Sequence, residues 1–268
     1  MDSQLLEGLF SRVQKPARYT GGELNSVMKD KEEVAIRFAF AFPDLYEVGM
    51  SHLGMKILYG LFNAQQDVWC ERVFMPDGDM EALLREKHIP LFALESRDPI
   101  KDFDFVGFTL QYEMSYTTIL HMLDLAGIPL RAADRDEGYP LIVGGGPCAC
   151  NPEPVAEFFD LFTLGEGEEV NLELFDLYRR CRREGTSKAE FLRRAAQIEG
   201  VYVPSLYEVT YQGDGTIQGV TPLQGAPAQV RKRLVMDLDH AYYPENFVVP
   251  FIDIVHDRAM SEIFRGCI

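Results

Sequence analysis

Cysteines are the side chains with the most distinctive chemistry in this 268-residue sequence, because their thiolates bind soft metal ions and iron–sulfur clusters. Their number is odd, their spacing is irregular and no secretion signal precedes them, so a disulfide framework is not expected. Cys148 and Cys150 are separated by one residue, too close for the usual metal knuckle, and we interpret both as small buried thiols. The cysteines are Cys70, Cys148, Cys150, Cys181 and Cys267.

The histidines and carboxylates form no recognisable catalytic or metal-binding pattern. His52 stands at the predicted start of a helix, where it could be a metal ligand or a capping residue, and for an unpaired histidine we favour the structural role. Asp44 and Glu47 form an acidic pair without a neighbouring base or nucleophile. The other histidines show no ligand spacing, so the catalytic residues stay unknown: they are His88, His121, His240 and His256.

Four loops could bind a ligand, because each follows a predicted strand of a parallel sheet. Glycines in two of them would let a ligand approach the backbone, although a tight turn explains residues 144–146 equally well and helix capping explains the run GEGEE. Neither loop matches the dinucleotide or phosphate-loop motif, which argues against NAD and ATP. Local chemistry therefore indicates a domain that binds a small molecule. The loops span residues 43–54, 109–116, 144–147 and 165–168.

The elements that must position these loops alternate between strand and helix. The run VAIRFAFAF puts large apolar side chains on one face of a strand and alanines on the other, as in a strand covered on both sides. Predicted strands at residues 68–74, 105–110, 141–143 and 159–164 are separated by helical spacing. This rhythm predicts a doubly wound α/β fold with a parallel sheet.

Charge and hydropathy exclude several classes of function. The formal net charge is −16 and the pI is about 4.7, so we expect no direct binding of nucleic acid. The N-terminus lacks a signal peptide and no long apolar run follows, so we expect a cytoplasmic protein without a membrane span.

The sequence predicts four regions. Residues 1–32 read as an N-terminal helical arm and residues 33–185 as the α/β domain. Residues 186–230 read as a helix, a β-hairpin around Gly213 and Gly215, and a linker. Residues 231–268 read as the truncated start of a second domain, whose first strand would span residues 258–267.

Four segments together resemble the cobalamin-binding radical SAM proteins: FPDLYEVGMSHLGMKIL, LIVGGGPCACNPEP, FDLFTLGEGEE and the closing SEIFRGC. The resemblance covers nearly the whole chain. It implies a Rossmann-like domain that holds cobalamin at its strand ends. It also implies a following (β/α) barrel whose first strand ends in a Cys-x-x-x-Cys-x-x-Cys loop with a [4Fe–4S] cluster and S-adenosylmethionine (SAM).

The resemblance also assigns residues. Cys267 matches the first cluster cysteine, and the other two would lie beyond residue 268. The Asp-x-His-x-x-Gly signature is absent, because Leu45, Tyr46 and Glu47 follow Asp44, so either cobalt has no protein ligand from below, or His52 reaches it, or the domain binds no cobalamin. The implied cofactor-binding residues are Met50, Ser51, His52, Leu53, Gly54, Leu110, Gln111, Tyr112, Glu113, Gly144, Gly145, Gly146, Pro147, Gly165, Glu166, Gly167 and Glu168.

The implied activity is radical chemistry on an unknown substrate, with methyl transfer as the favoured outcome, and flavodoxin or ferredoxin as the electron donor. The fragment alone would be inactive, since it lacks two cluster ligands. A non-catalytic ligand-binding module is the first alternative. A radical SAM methylthiotransferase is a lower one, because that class normally has further cluster cysteines in its first domain, and the cysteines here do not fit that layout well.

Overall fold

A six-stranded sheet forms the centre of the computed structural model, which describes residues 3–266. The strand order is β2-β1-β3-β4-β5-β6; the first five strands are parallel, and β6 runs antiparallel to β5. The predicted α/β fold is therefore confirmed. The strands are β1 (Ile36–Phe42), β2 (Val68–Phe74), β3 (Phe105–Thr109), β4 (Leu141–Gly145), β5 (Leu161–Thr163) and β6 (Val201–Tyr202).

Helices cover both faces of this sheet, and two hydrophobic cores result. The predicted alternation in β1 is confirmed: Phe38 and Phe40 pack into one core with α3 and α6, whereas Ala39 and Ala41 belong to the other core with α1, α4 and α5. The helices are α1 (Ser3–Phe10), α2 (Tyr46–Gly49), α3 (Leu53–Ala64), α4 (Gly78–Lys87), α5 (Tyr116–Ala126), α6 (Gly167–Glu184) and α7 (Lys188–Ala195).

The strand order creates a switch point between β1 and β3. From β1 the chain continues to β2, towards one edge of the sheet, and from β3 it continues to β4, towards the opposite edge. The loops that follow β1 and β3 therefore diverge, and a crevice opens beyond the carboxyl ends of these two strands. This is the position at which a doubly wound fold binds its ligand.

Residues 201–222 differ in part from the expected hairpin. A hairpin is present, with β7 (Tyr207–Tyr211) paired to β8 (Ile217–Pro222). However, Val201 and Tyr202, which precede it, join the central sheet as the antiparallel edge strand β6. A two-residue strand is too short to show a period in the sequence, so its partner could not be predicted.

The strand predicted at residues 258–267 is wrong for the described part: residues 258–266 are irregular, and Cys267 lies outside the described residues. A strand needs a neighbour to satisfy its backbone, and no strand of the described chain pairs with this stretch. Ile263 and Phe264 are 85% and 74% exposed. We call residues 231–266 the C-terminal segment.

Within residues 3–266, no helix is long and apolar enough to cross a membrane.

Candidate functional site

A cleft of about 300 Å³ opens at the carboxyl ends of β1, β3, β4 and β5, where the switch point predicts a binding site. It runs between the sheet and helices α3 and α6. Its walls include the apolar side chains of Phe38, Phe40, Phe62, Leu58 and Val143, and its polar groups include His52, Thr109, Gln111, Thr163 and Asn171. The cleft therefore combines an apolar interior with a few side chains able to orient a ligand.

About half of the predicted cofactor-binding residues line this cleft. They come from all four of the loops singled out in the sequence: they are His52, Gly54, Gln111, Gly145, Gly146, Pro147, Gly165 and Gly167. A second recess of about 250 Å³ lies beside the cleft and shares His52 and Gln111 with it. Ser51 and Tyr112 line this recess, together with Val255 and His256 of the C-terminal segment.

Other predicted residues do not line the cleft. Met50 is buried, and its sulfur lies 3.3 Å from Nη1 of Arg72. Leu110 is fully buried in the core beneath the sheet, and a Cβ on Gly144 would meet its side chain at 2.8 Å. Glu113 is exposed on the loop after β3, and Leu53 is half-buried at the start of α3.

His52 has a structural role at the cleft. Its Nδ1 accepts a hydrogen bond of 3.1 Å from the backbone N–H of Met55, which caps the N-terminus of α3. The ring centre lies 5.4 Å from that of Phe42. Burial lowers the pKa of His52, and a hydrogen bond with Gln111 opposes that shift only in part. The ring is therefore neutral at pH 7, and Nδ1 is already used as an acceptor.

Two glycines of the site are required by the protein's own packing. Gly146 has φ +98°, and a Cβ there would lie 3.1 Å from the carbonyl oxygen of Leu110. Gly165 also has φ +98°, and a Cβ would overlap the carbonyl of Arg233 and lie 2.8 Å from its nitrogen. Side chains are strained in this left-handed region, so the tight-turn explanation accounts for Gly146, and the close approach of Arg233 accounts for Gly165, without a ligand.

All three glutamates of the GEGEE run contact the C-terminal segment, and Glu169 does so by accepting hydrogen bonds from Arg233. Glu166 is the N-cap residue of α6, yet its carboxylate caps no helix amide; it accepts a hydrogen bond from the backbone N–H of Val235. Oε1 of Glu168 lies 2.5 Å from Nη2 of Arg265. The capping role that the sequence suggested for this run is therefore wrong for the Glu166 side chain.

A buried ion network around Arg72 of β2 was not predicted. Arg72 is 2% exposed and donates to Glu23 and Glu95, at 2.7 Å each. The hydroxyl of Tyr46 donates to Glu23, and that of Tyr59 donates to Glu95. Burial opposes ionisation of Glu23, but the hydrogen bonds and charge of Arg72 hold its pKa below the usual value. The charged pair inside the apolar run VWCERVF was the signal for a buried network.

The four cysteines of the described residues differ in burial. Cys70 and Cys181 are buried, as expected for small apolar thiols, but Cys148 is only partly buried and Cys150 is exposed, so the prediction of two buried thiols after β4 is wrong. The short 3-10 turn Pro147–Cys150 carries Cys150 outward at the end of the sheet. Within the described range, no three His, Cys, Asp or Glu side chains are close enough to hold a metal ion.

Comparison with known proteins identifies one family and one relative. Residues 54–204 match the family described as "Radical SAM proteins, N-terminal". An uncharacterized protein of Methanocaldococcus jannaschii is 27% identical over 167 residues, which are 61% of this chain. The chain spans only 28% of that relative's length. No solved structure matches the chain.

Proposed function

The chain belongs to the family of radical SAM proteins, N-terminal, and from this membership we propose that it is the cobalamin-binding portion of a radical SAM enzyme. Membership implies SAM and an iron–sulfur cluster in the complete enzyme. We propose Cys267 as the first ligand of a [4Fe–4S] cluster, methyl transfer to an unreactive carbon as the reaction, and flavodoxin or ferredoxin as the electron donor. The substrate is not assigned.

The observation that carries the cobalamin proposal is the cleft at the switch point. Its volume of about 300 Å³ is at the lower end of small-molecule pockets, which measure roughly 300–1,000 Å³. A whole corrinoid is too large for it, but the flat apolar base and the ribose of the nucleotide tail suit its size and its lining. Phe40, Phe62 and Leu58 would contact the base, and the backbone of Gly145 and Gly146 would approach the ribose phosphate.

The chain's own residues would bind and orient the cofactor. When bound, cobalamin would supply the methyl group for transfer, and SAM with its cluster would supply the radical. Gln111 and Thr109 line the cleft, where Nε2 of Gln111 donates to Oγ1 of Thr109, and they would hydrogen-bond polar groups of the tail. Nδ1 of His52 accepts the hydrogen bond that caps α3, so the proton of the neutral ring is on Nε2, which then has no lone pair for a metal. We therefore propose that cobalt would receive no ligand from this histidine.

The binding test uses the 268-residue chain and hydroxocobalamin. Binding should shift the visible spectrum of the corrinoid, and replacement of half-buried Leu58 by Trp should fill the cleft. The indole would exclude part of the ligand from the cleft, and if the ligand loses apolar contact equal to two methylene groups, binding weakens by about 1.6 kcal/mol. The affinity should therefore fall by at least about tenfold. Leu130→Trp is the matched control, because Leu130 is 38% exposed and lies outside the cleft. Equal affinities for the two variants, or no spectral shift at all, would remove the cobalamin proposal.

The catalytic test uses the full-length protein, reconstituted anaerobically with iron, sulfide and cobalamin. Cleavage of SAM to deoxyadenosine is expected. Retention of cobalamin without SAM cleavage would favour the non-catalytic binding module. Stoichiometric iron in the 268-residue chain alone would favour the methylthiotransferase, whose first domain holds its own cluster.

A further inference from the structure

An ion pair links the start of α6 to the residue two positions before Cys267. Nη2 of Arg265 lies 2.5 Å from Oε1 of Glu168, and Nη1 lies 3.6 Å from Oε2 of Glu166. The same guanidinium donates two hydrogen bonds to Glu262, at 2.9 and 2.7 Å. All four side chains are between 12% and 22% exposed. Charge-assisted hydrogen bonds of this kind are stronger than neutral ones, and partial burial limits their screening by salt.

The beginning of the C-terminal segment is attached to the same helix end. The backbone N–H of Arg233 donates to the carbonyl of Leu164 at 2.7 Å, and the carbonyl of Arg233 accepts from the N–H of Glu166 at 3.0 Å. The Arg233 side chain donates to Glu169 and Glu173, at 2.7 Å each. The segment therefore leaves the N-terminus of α6 at Arg233 and returns to it at Arg265.

The acidic first turn of α6 is suited to this attachment. Carboxylates are favoured at a helix N-terminus by the helix dipole, and here they also receive two arginines from the C-terminal segment. Gly165 and Gly167 of the same turn line the candidate cleft. The chain that enters Cys267 is thus held beside the cleft, and Gly266, with φ +102°, turns it immediately after Arg265.

We propose that Glu168 is a positioning residue for the radical-generating cluster, because it fixes Arg265 and thereby the backbone that leads into the first cluster cysteine. This proposal rests on the assignment of Cys267 under the proposed function. Two residue steps span at most about 7 Å, so an anchor at Arg265 limits where the following chain can reach. The turn GEGEE then links the cofactor domain to the cluster loop.

The first experiment measures limited proteolysis of the 268-residue chain by trypsin and needs no cofactor. Glu168→Gln keeps the size of the side chain but removes its charge. Cleavage after Arg258 should become faster by roughly tenfold, because a charge-assisted contact that holds the segment against α6 is weakened. Glu184→Gln is the matched control: it makes the same change at the other end of α6, where the side chain pairs with Arg194. It should leave cleavage after Arg258 unchanged.

A double-mutant cycle tests whether the pair itself is responsible. Arg265→Gln and the double variant with Glu168→Gln should increase cleavage after Arg258 to a similar extent, since the second substitution removes nothing further from the pair. In the full-length protein, Glu168→Gln should retain its iron content and thermal midpoint but slow SAM cleavage by about tenfold or more. The electron paramagnetic resonance spectrum of its reduced cluster should respond less to added SAM, a signature that a merely structural role would not change.

Unchanged cleavage after Arg258 in Glu168→Gln, or additive effects of the two substitutions, would overturn the proposal. So would equal rates of SAM cleavage in the unmodified protein and Glu168→Gln. If the unmodified full-length protein cleaves no SAM although the difference in proteolysis is present, the proposed function fails, whereas the attachment of the segment to α6 stands.

Discussion

Replacement of Arg72 by Met should destabilise the protein more than any surface substitution. The side chain of Arg72 on β2 is 2% exposed, and the side chains of its partners Glu23 and Glu95 are both 0% exposed. Glu23 belongs to the N-terminal arm, so this guanidinium joins the arm to the sheet. Without the cation, two buried carboxylates face each other across an apolar space.

The size of the effect follows from these contacts. Removal of one partner from a buried ion pair costs about 3–5 kcal/mol. Each carboxylate keeps a tyrosine hydroxyl, from Tyr46 or Tyr59, which argues against a greater loss. A domain of ordinary stability unfolds with a free energy of about 5–15 kcal/mol, so this loss is about a fifth of the total or more. We expect the thermal midpoint to fall by roughly 6–20 °C.

Urea denaturation followed by circular dichroism measures this loss directly. Arg179→Met is the control: it breaks a half-exposed pair with Asp67 and should cost less than about 1 kcal/mol. A triple variant with Arg72→Met, Glu23→Gln and Glu95→Gln should recover part of the stability, because no uncompensated charge remains. A loss for Arg72→Met no larger than that of the control would refute the reasoning.

Three further predictions concern pH, a glycine and the cap of α3. Arg72 holds the pKa of Glu23 below its ordinary 4.5. The stabilisation by ionised Glu23 is therefore complete above about pH 5 and is lost as the pH falls through the folded-state pKa. The thermal midpoint should decrease from pH 5 towards pH 3. Gly165→Ala should release the C-terminal segment, because a Cβ there overlaps the Arg233 carbonyl, and proteolysis of that segment should accelerate. Gly185→Ala is the control: this residue has φ +65° and open space around it, so the substitution should cost only about 1 kcal/mol of backbone strain. His52→Ala removes the cap of α3 and should lower the free energy of unfolding in urea by about 1 kcal/mol. In the unmodified protein, nuclear magnetic resonance should find a pKa of His52 below 6.5. An unshifted pKa would contradict the burial of this ring.

Local patterns in the sequence were sufficient for the fold class. The alternation of Phe38 and Phe40 with Ala39 and Ala41 requires only a strand covered on both faces, and the structure has helices there. The position of the cleft also follows from topology, because parallel strands carry their connecting loops at the same edge. His52, Gln111 and Gly146 could be named as neighbours for that reason. Which loop residues face the cleft and which face the core could not, since Leu110 and Gln111 are adjacent in the chain yet lie on opposite sides of the sheet end.

The sequence by itself determined the alternating elements, the two-sided sheet and the edge where a ligand can bind, because each depends on hydrophobic periods that repeat along the chain. Only the tertiary structure decided the path of the C-terminal segment, the antiparallel edge strand and the partners of the acidic turn. Arg265 meets Glu168 across 97 residues, and Arg72 meets Glu23 across 49. Pairs so far apart leave no local period in the sequence, because they form only when the folded core brings the two stretches of chain together.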